Sequence, residues 1–156
     1  MFGFLKRRRR ERLRATPFPS AWLEILEKNF PLYRRLSAAD QRELQGHIQV
    51  FLAEKQFEGC GGLEITDEIK VTIAAQACLL LLHRDTDYYP WVHSVLVYPS
   101  AYVGKTASEL SSGLWTEGEQ PRGGESWRHG PVVLTWDHVR SGAADIADGH
   151  NIVFHE

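Results

Sequence analysis

Gly149-His150-Asn151-Ile152-Val153-Phe154-His155-Glu156 closes the sequence, and how it is read decides how the rest is read. In an HExxH helix, two histidines at i and i+4 share one face and bind one Zn²⁺. The glutamate between them is the general base for metal-bound water. His155 and Glu156 supply the first histidine and the base; the second histidine would fall three positions after Glu156. Ile152, Val153 and Phe154 lead in as an apolar run, as expected of a buried helix, with Asp148 or Asn151 as its cap. Two readings are open from these residues alone: the start of a zinc helix, or a solvated chain end.

Upstream, Gly130-Pro131 opens an apolar run over residues 132–136 that predicts a strand, followed by a short helix and loop over 137–147. Residues 92–98, bounded by Pro90 and Pro99, predict another strand. Residues 114–117 and a piece beginning at Tyr102 and Val103 are further extended candidates. The first half has helical periodicity instead. Ser20 is expected to cap a short helix carrying Trp22, Ile25 and Leu26, stopped by Pro31. Ser37 opens a longer helix with Asp40 in its first turn and an apolar stripe of Leu44, Ile48, Phe51 and Leu52. Gly59, Gly61 and Gly62 interrupt the chain. Thr66 caps a third helix, with Asp67 and Glu68 in its first turn. Residues 71–82 are apolar nearly all round, so this helix is expected at the centre. The fold class is therefore α+β: N-terminal helices followed by a small mixed β-sheet. There is no internal repeat and no sign of a second domain.

A chain of 156 residues is long enough for one domain with a substantial core. Its 43% hydrophobic and 24% charged content is that of a soluble globular protein. The net charge of −2 is unevenly spread. Lys6, Arg7, Arg8, Arg9, Arg10, Arg12 and Arg14 against Glu11 give residues 1–14 a charge of +6, leaving −8 for the remainder. Such a run can bind nucleic acid or anionic lipid. Without aromatic interleaving or a recognition-helix pattern, residues 1–19 are expected to be a disordered basic tail, and no nucleic-acid partner is expected. The apolar stretch before the charges is too short for a signal peptide. No run approaches the ~20 apolar residues that cross a bilayer; residues 71–82 come nearest but include Thr72 and Gln76. Cys60 and Cys78 form no CxxC pair or disulfide framework, which fits a reduced, cytoplasmic location.

Other chemistries have weaker support. Ser126 and Ser141 lie near histidines but in no GxSxG elbow. Gly59-Cys60-Gly61-Gly62 lacks the lysine of a phosphate loop and is expected to be a turn. No dinucleotide-binding pattern is present, so no organic cofactor site is expected. His47, His83, His93, His129, His138 and His150 are the remaining candidate zinc ligands. His150 precedes His155 by five residues, ~140° around a helix, a poor angle for sharing one ion. His129 and His138 flank the predicted 132–136 strand and can approach the motif.

The combination is more specific than any part. Gly62-Leu63-Glu64-Ile65-Thr66-Asp67-Glu68, Ile73-Ala74-Ala75-Gln76-Ala77-Cys78, Val97-Tyr98-Pro99 with Tyr102, then Ser126-Trp127-Arg128-His129-Gly130-Pro131-Val132-Val133-Leu134, stand in that order before His155-Glu156. This arrangement, from about Trp22 onward, resembles the Mlc titration factor A family of bacterial zinc metallopeptidases. The resemblance implies a zincin-type domain. Residues 20–156 would be its N-terminal part, ending at the start of the active-site helix. It implies peptide-bond hydrolysis by zinc-activated water, with His155 a zinc ligand and Glu156 the catalytic base. It further implies a second histidine and a glutamate ligand downstream, so a chain ending at Glu156 is expected to be inactive and its Zn²⁺ site incomplete. Substrate-binding residues are not assigned, but in zincins a sheet edge beside the active-site helix binds peptide backbone. The strand over 130–134 is either that edge or an internal core strand. The resemblance also implies a partner besides a peptide or protein substrate: a glucose-responsive transcriptional repressor, Mlc. Binding it needs a surface, not catalysis.

Overall fold

The computed structural model describes residues 2–85, 87–100, 114–116 and 131–145. The helices come first: α1 (Phe2–Ala15), α2 (Ser20–Asn29), a 3₁₀ turn (Pro31–Arg35), α3 (Ala38–Glu54) and, after strand β1 (Gln56–Gly59), α4 (Asp67–Leu79). Strands β2 (Ser94–Tyr98), β3 (Leu114–Thr116) and β4 (Val132–Thr135) follow, and helix α5 (Trp136–Ala144) leaves β4 directly.

Local chemistry explains most boundaries. Ser37 Oγ accepts from the Asp40 amide at 3.1 Å and Thr66 Oγ1 from the Ile69 amide at 3.3 Å. Both satisfy amides that a helix start leaves unpaired. Ser20 is not a cap; it is the first helical residue, and Pro19 holds the cap position in an extended conformation. Proline's fixed φ suits that entry, and a side-chain cap is dispensed with. The glycine segment after β1 is an ordered turn. Gly61 and Gly62 have φ of 63° and 84°, which favour glycine, and Cys60 continues the ladder by donating to Val97 O at 2.8 Å.

The sheet is small and mixed, in the order β1-β2-β4-β3. β1, β2 and β4 are parallel, and β3 runs antiparallel to β4. A parallel pair requires a crossover, and α4 supplies it between β1 and β2. β4 is paired on both sides and buried on both faces. It is therefore the internal core strand, not the substrate-binding edge: its backbone groups are already spent on two neighbours. Among the described strands the edges are β1 and β3.

Two apolar clusters share α4. On one side Val71, Ala74, Ala75 and Cys78 pack with Leu26, Phe30, Leu44, Ile48 and Phe51 of the helical layer. On the other, Ile69 and Ile73 meet Val95, Val97, Val132 and Leu134 of the sheet and Val139 of α5. The central place expected for this helix is the one it occupies. No described helix is long and apolar enough to cross a membrane.

The basic N-terminal stretch departs from expectation. Residues 2–15 form helix α1, docked on α3, where a disordered tail was expected. Leu13 packs against the helical core, and the Arg10 guanidinium makes a fork with Glu54, Nε to Oε2 at 2.7 Å and Nη2 to Oε1 at 2.8 Å. Gly46 permits the approach: a Cβ there would lie 3.1 Å from Arg14 Cγ.

Candidate functional site

His155, Glu156, His129, His150 and Ser126 lie outside the described residues, as do Tyr102 and Val103 and the expected terminal helix. The remaining candidates fall in separate places. His138 sits in the first turn of α5, its Nδ1 2.7 Å from Thr135 Oγ1 and 3.3 Å from Asp137 Oδ1. These bonds organise the β4–α5 junction, the stretch just before the terminal motif. His93 is exposed ahead of β2, and Ser141 is exposed on α5. Neither cysteine forms a disulfide. Cys78 is fully buried, and burial pushes its thiol well above its ordinary range, which makes it an inert core residue.

Gln76, fully buried in the middle of α4, donates to Val139 O of α5 at 3.0 Å. Its Oε1 has no hydrogen-bond partner among the described residues. Together, α4 and the sheet hold α5 and β4 through one apolar cluster.

Sequence reasoning missed a polar network joining α1, α3 and the loop after α4. Arg14 Nη1 donates to Tyr88 Oη at 3.1 Å, Tyr88 Oη is 2.6 Å from His47 Nδ1, and His47 Nε2 is 3.0 Å from Glu43 Oε2. With Nε2–H donating to Glu43, Nδ1 accepts from the Tyr88 hydroxyl, so a neutral imidazole satisfies every member. Burial is the main force holding His47 below its ordinary value, against the opposing pull of Glu43. Beside it, Arg10 also pairs with Asp87 at 2.7 Å and lies over the Tyr88 ring, 4.8 Å from its centroid. The one available signal was the spacing of Lys6, Arg10, Leu13 and Arg14, which places them along one side of a helix.

One group among the described residues has the size of a metal site: Asp40, Glu43 and His83, whose ligand atoms lie within 4.8 Å of one another. It does not fit a catalytic zinc. His83 Nε2 is 3.0 Å from Asp40 Oδ1, and Glu43 Oε2 is taken by His47 and by the His83 amide at 2.9 Å. The donors are spent on each other, and none comes from the terminal motif.

The comparisons with known proteins bear on the elements just described. Residues 4–156 match the family described as glucose-regulated metallo-peptidase M90. An uncharacterized protein of Synechocystis sp. is 38% identical over 149 residues, 95% of this chain and 54% of that protein. Mlc titration factor A of Klebsiella pneumoniae is 33% identical over 126 residues, 81% of this chain and 47% of the relative. Mlc titration factor A of Yersinia pestis is 30% identical over 135 residues, 86% and 48% respectively. The chain spans about half the length of these curated relatives.

Proposed function

This chain belongs to the glucose-regulated metallo-peptidase M90 family, and on that premise we propose that the protein carrying it is a zinc-dependent peptidase, with His155 a zinc ligand and Glu156 its general base. The observation that carries the reading is the family match through residue 156, combined with His155-Glu156 behind the apolar Ile152-Val153-Phe154. Residues 20–156 are then the N-terminal part of one zincin-like domain, and the second histidine and the glutamate ligand come from later in the protein. Bound zinc supplies polarisation of the scissile carbonyl and a lowered pKa for the attacking water. Glu156 takes the proton from that water and returns it to the leaving amine. We assign the peptide-binding edge to β3, the antiparallel edge among the described strands, because β4 is already paired on both sides. A cytoplasmic setting agrees with two cysteines that form no disulfide.

In the full-length protein, Glu156→Gln is expected to abolish peptide hydrolysis while about one zinc per chain stays bound. Hydrolysis that survives this change would remove Glu156 from the base role. His155→Ala should lose both zinc and activity, with zinc content read by elemental analysis.

The relatives' name, Mlc titration factor A, supports a second, non-catalytic reading: capture of a transcriptional repressor through a surface of this domain. Such binding should persist in Glu156→Gln and in chelator. Loss of binding with chelator alone would tie that surface to the metal-bound fold.

A further inference from the structure

A strongly charged cleft of the described structure lies far from the terminal motif in sequence and is not used by the peptidase reading. It has a volume of about 340 Å³, within the range of small-molecule sites. α1 contributes Lys6, Arg7, Arg10 and Arg14 to one wall; Arg84 and Tyr88 face them from the loop after α4. The four α1 residues follow helical spacing, so a single face carries four positive charges, and neighbours three or four apart repel. His47 of α3 and Gly3 also line the cleft, and Asp85 is the single acidic residue in its lining.

Only part of this charge is answered within the described residues. Arg10 is neutralised by Glu54 and Asp87, and Lys6 lies 3.9 Å from Asp87. Arg7, Arg14 and Arg84 form no ion pair among the described residues. Arg14 is instead oriented by Tyr88 Oη, and Tyr88 by His47. The cleft thus has a fixed floor, Arg10–Tyr88–Arg14–His47, with uncommitted guanidinium groups at its rim. Planar guanidinium forks match carboxylate and phosphate oxygens alike, but a phosphate monoester brings two negative charges on one group to several guanidiniums at once.

We propose that the cleft between α1, α3 and the loop after α4 binds a phosphate monoester, with Arg7, Arg14 and Arg84 as the charged contacts. A dianion offsets the repulsion along the α1 face that the protein's own carboxylates leave uncompensated. The phosphate can belong to a soluble metabolite or to a lipid headgroup. The soluble source is favoured by geometry: Phe4 and Leu5, the exposed apolar residues of α1, lie ~100° and ~200° around the helix from Gly3 on the cleft face. A membrane gripping Phe4 and Leu5 would therefore not face the cleft.

The test is calorimetric titration of the full-length protein with inorganic phosphate, beside cosedimentation with phosphatidic acid vesicles, whose headgroup is a phosphate monoester. Arg7→Glu and Arg84→Glu each remove an exposed side chain with no ion pair among the described residues, so the fold is expected to survive. Arg9→Glu, off the cleft face, makes the same change in net charge. The expected result is saturable phosphate binding, weakened about tenfold or more by Arg7→Glu and by Arg84→Glu and little by Arg9→Glu. Vesicle binding without phosphate binding, and lost in Arg84→Glu, would keep the site and make the headgroup its ligand. No binding of either probe, or equal weakening by all three substitutions, would overturn the proposal, since diffuse charge alone would then explain it.

Discussion

Lys55 is a buried ammonium held by two carbonyls. Its Nζ donates to Tyr89 O at 2.7 Å and to Val92 O at 2.6 Å, and burial pushes its pKa down to about 8. It fastens the end of α3 to the loop that enters β2, where Tyr89 has a φ of 50°, a conformation that costs a bulky residue energy. Lys55→Met keeps the apolar stem and strips both donors, leaving Val92 O without its side-chain partner. The expected loss is about 2 kcal/mol, read from the urea midpoint; an unchanged midpoint would mean the carbonyls are hydrated once the amine is gone. Gly59 poses a harder constraint. A Cβ there would lie 1.9 Å from Leu63 O, a backbone atom that cannot swing aside. Gly59→Ala is expected to cost about 3 kcal/mol, because the turn after β1 must open. At this scale the sequence was legible where a residue acts on its own neighbours, as Ser37 and Thr66 do at helix starts. It was not legible where the partner is distant: nothing near Lys55 in the chain announces Tyr89 O or Val92 O, 34 and 37 positions away.

Among the elements, α1 carries the clearest test. Its arginine run suggested a solvated tail because composition alone counts charges and not their partners. In the fold, Glu54 and Asp87, from two separate segments, answer Arg10, and Leu13 reaches the helical core. Removing residues 2–15 exposes that core and leaves Glu54 unpaired beside Lys55. A loss of about 1–3 kcal/mol in unfolding free energy is expected. An unaltered unfolding curve would return the segment to the status of a tail. The other elements were foreseen with boundaries shifted by two or three residues: β2 begins at Ser94 where residues 92–98 were expected, and α4 ends at Leu79 short of Leu82. β1 escaped notice, since four residues, Gln56–Gly59, are too few for an alternating pattern to stand out. What makes them a strand is β2, which pairs with all four.

For the whole molecule, the α+β class was readable because periodicity changes once, near Pro90, but the strand order was not. The placement of β4 inside the sheet depends on β2 and β3 converging on it from different parts of the chain, and no local pattern encodes that choice. The same dependence on distant partners governs the response to acid. Folding holds His47 below its ordinary value, chiefly through burial. Burial alone would raise the Glu54 and Asp87 carboxyls, but the Arg10 hydrogen bonds and charge, with the Tyr88 amide on Asp87, outweigh it and hold both below the usual carboxylate range. All three groups bind protons less readily in the folded chain than in the unfolded one, so all three act with the same sign. Their contribution is present above the unfolded values, near 6.5 for the imidazole and about 4 for the carboxyls, and is lost as pH falls through the folded values. Two successive losses of stability are therefore expected on acidification, the first setting in near pH 6.5. Denaturant midpoints followed from pH 8 to about pH 2 measure both. His47→Gln should flatten the first phase and leave the second, while Glu54→Gln should weaken the second and leave the first. If His47→Gln leaves the upper phase unchanged, the imidazole is not the group that titrates there, and the Arg14–Tyr88–His47–Glu43 chain does not keep it neutral.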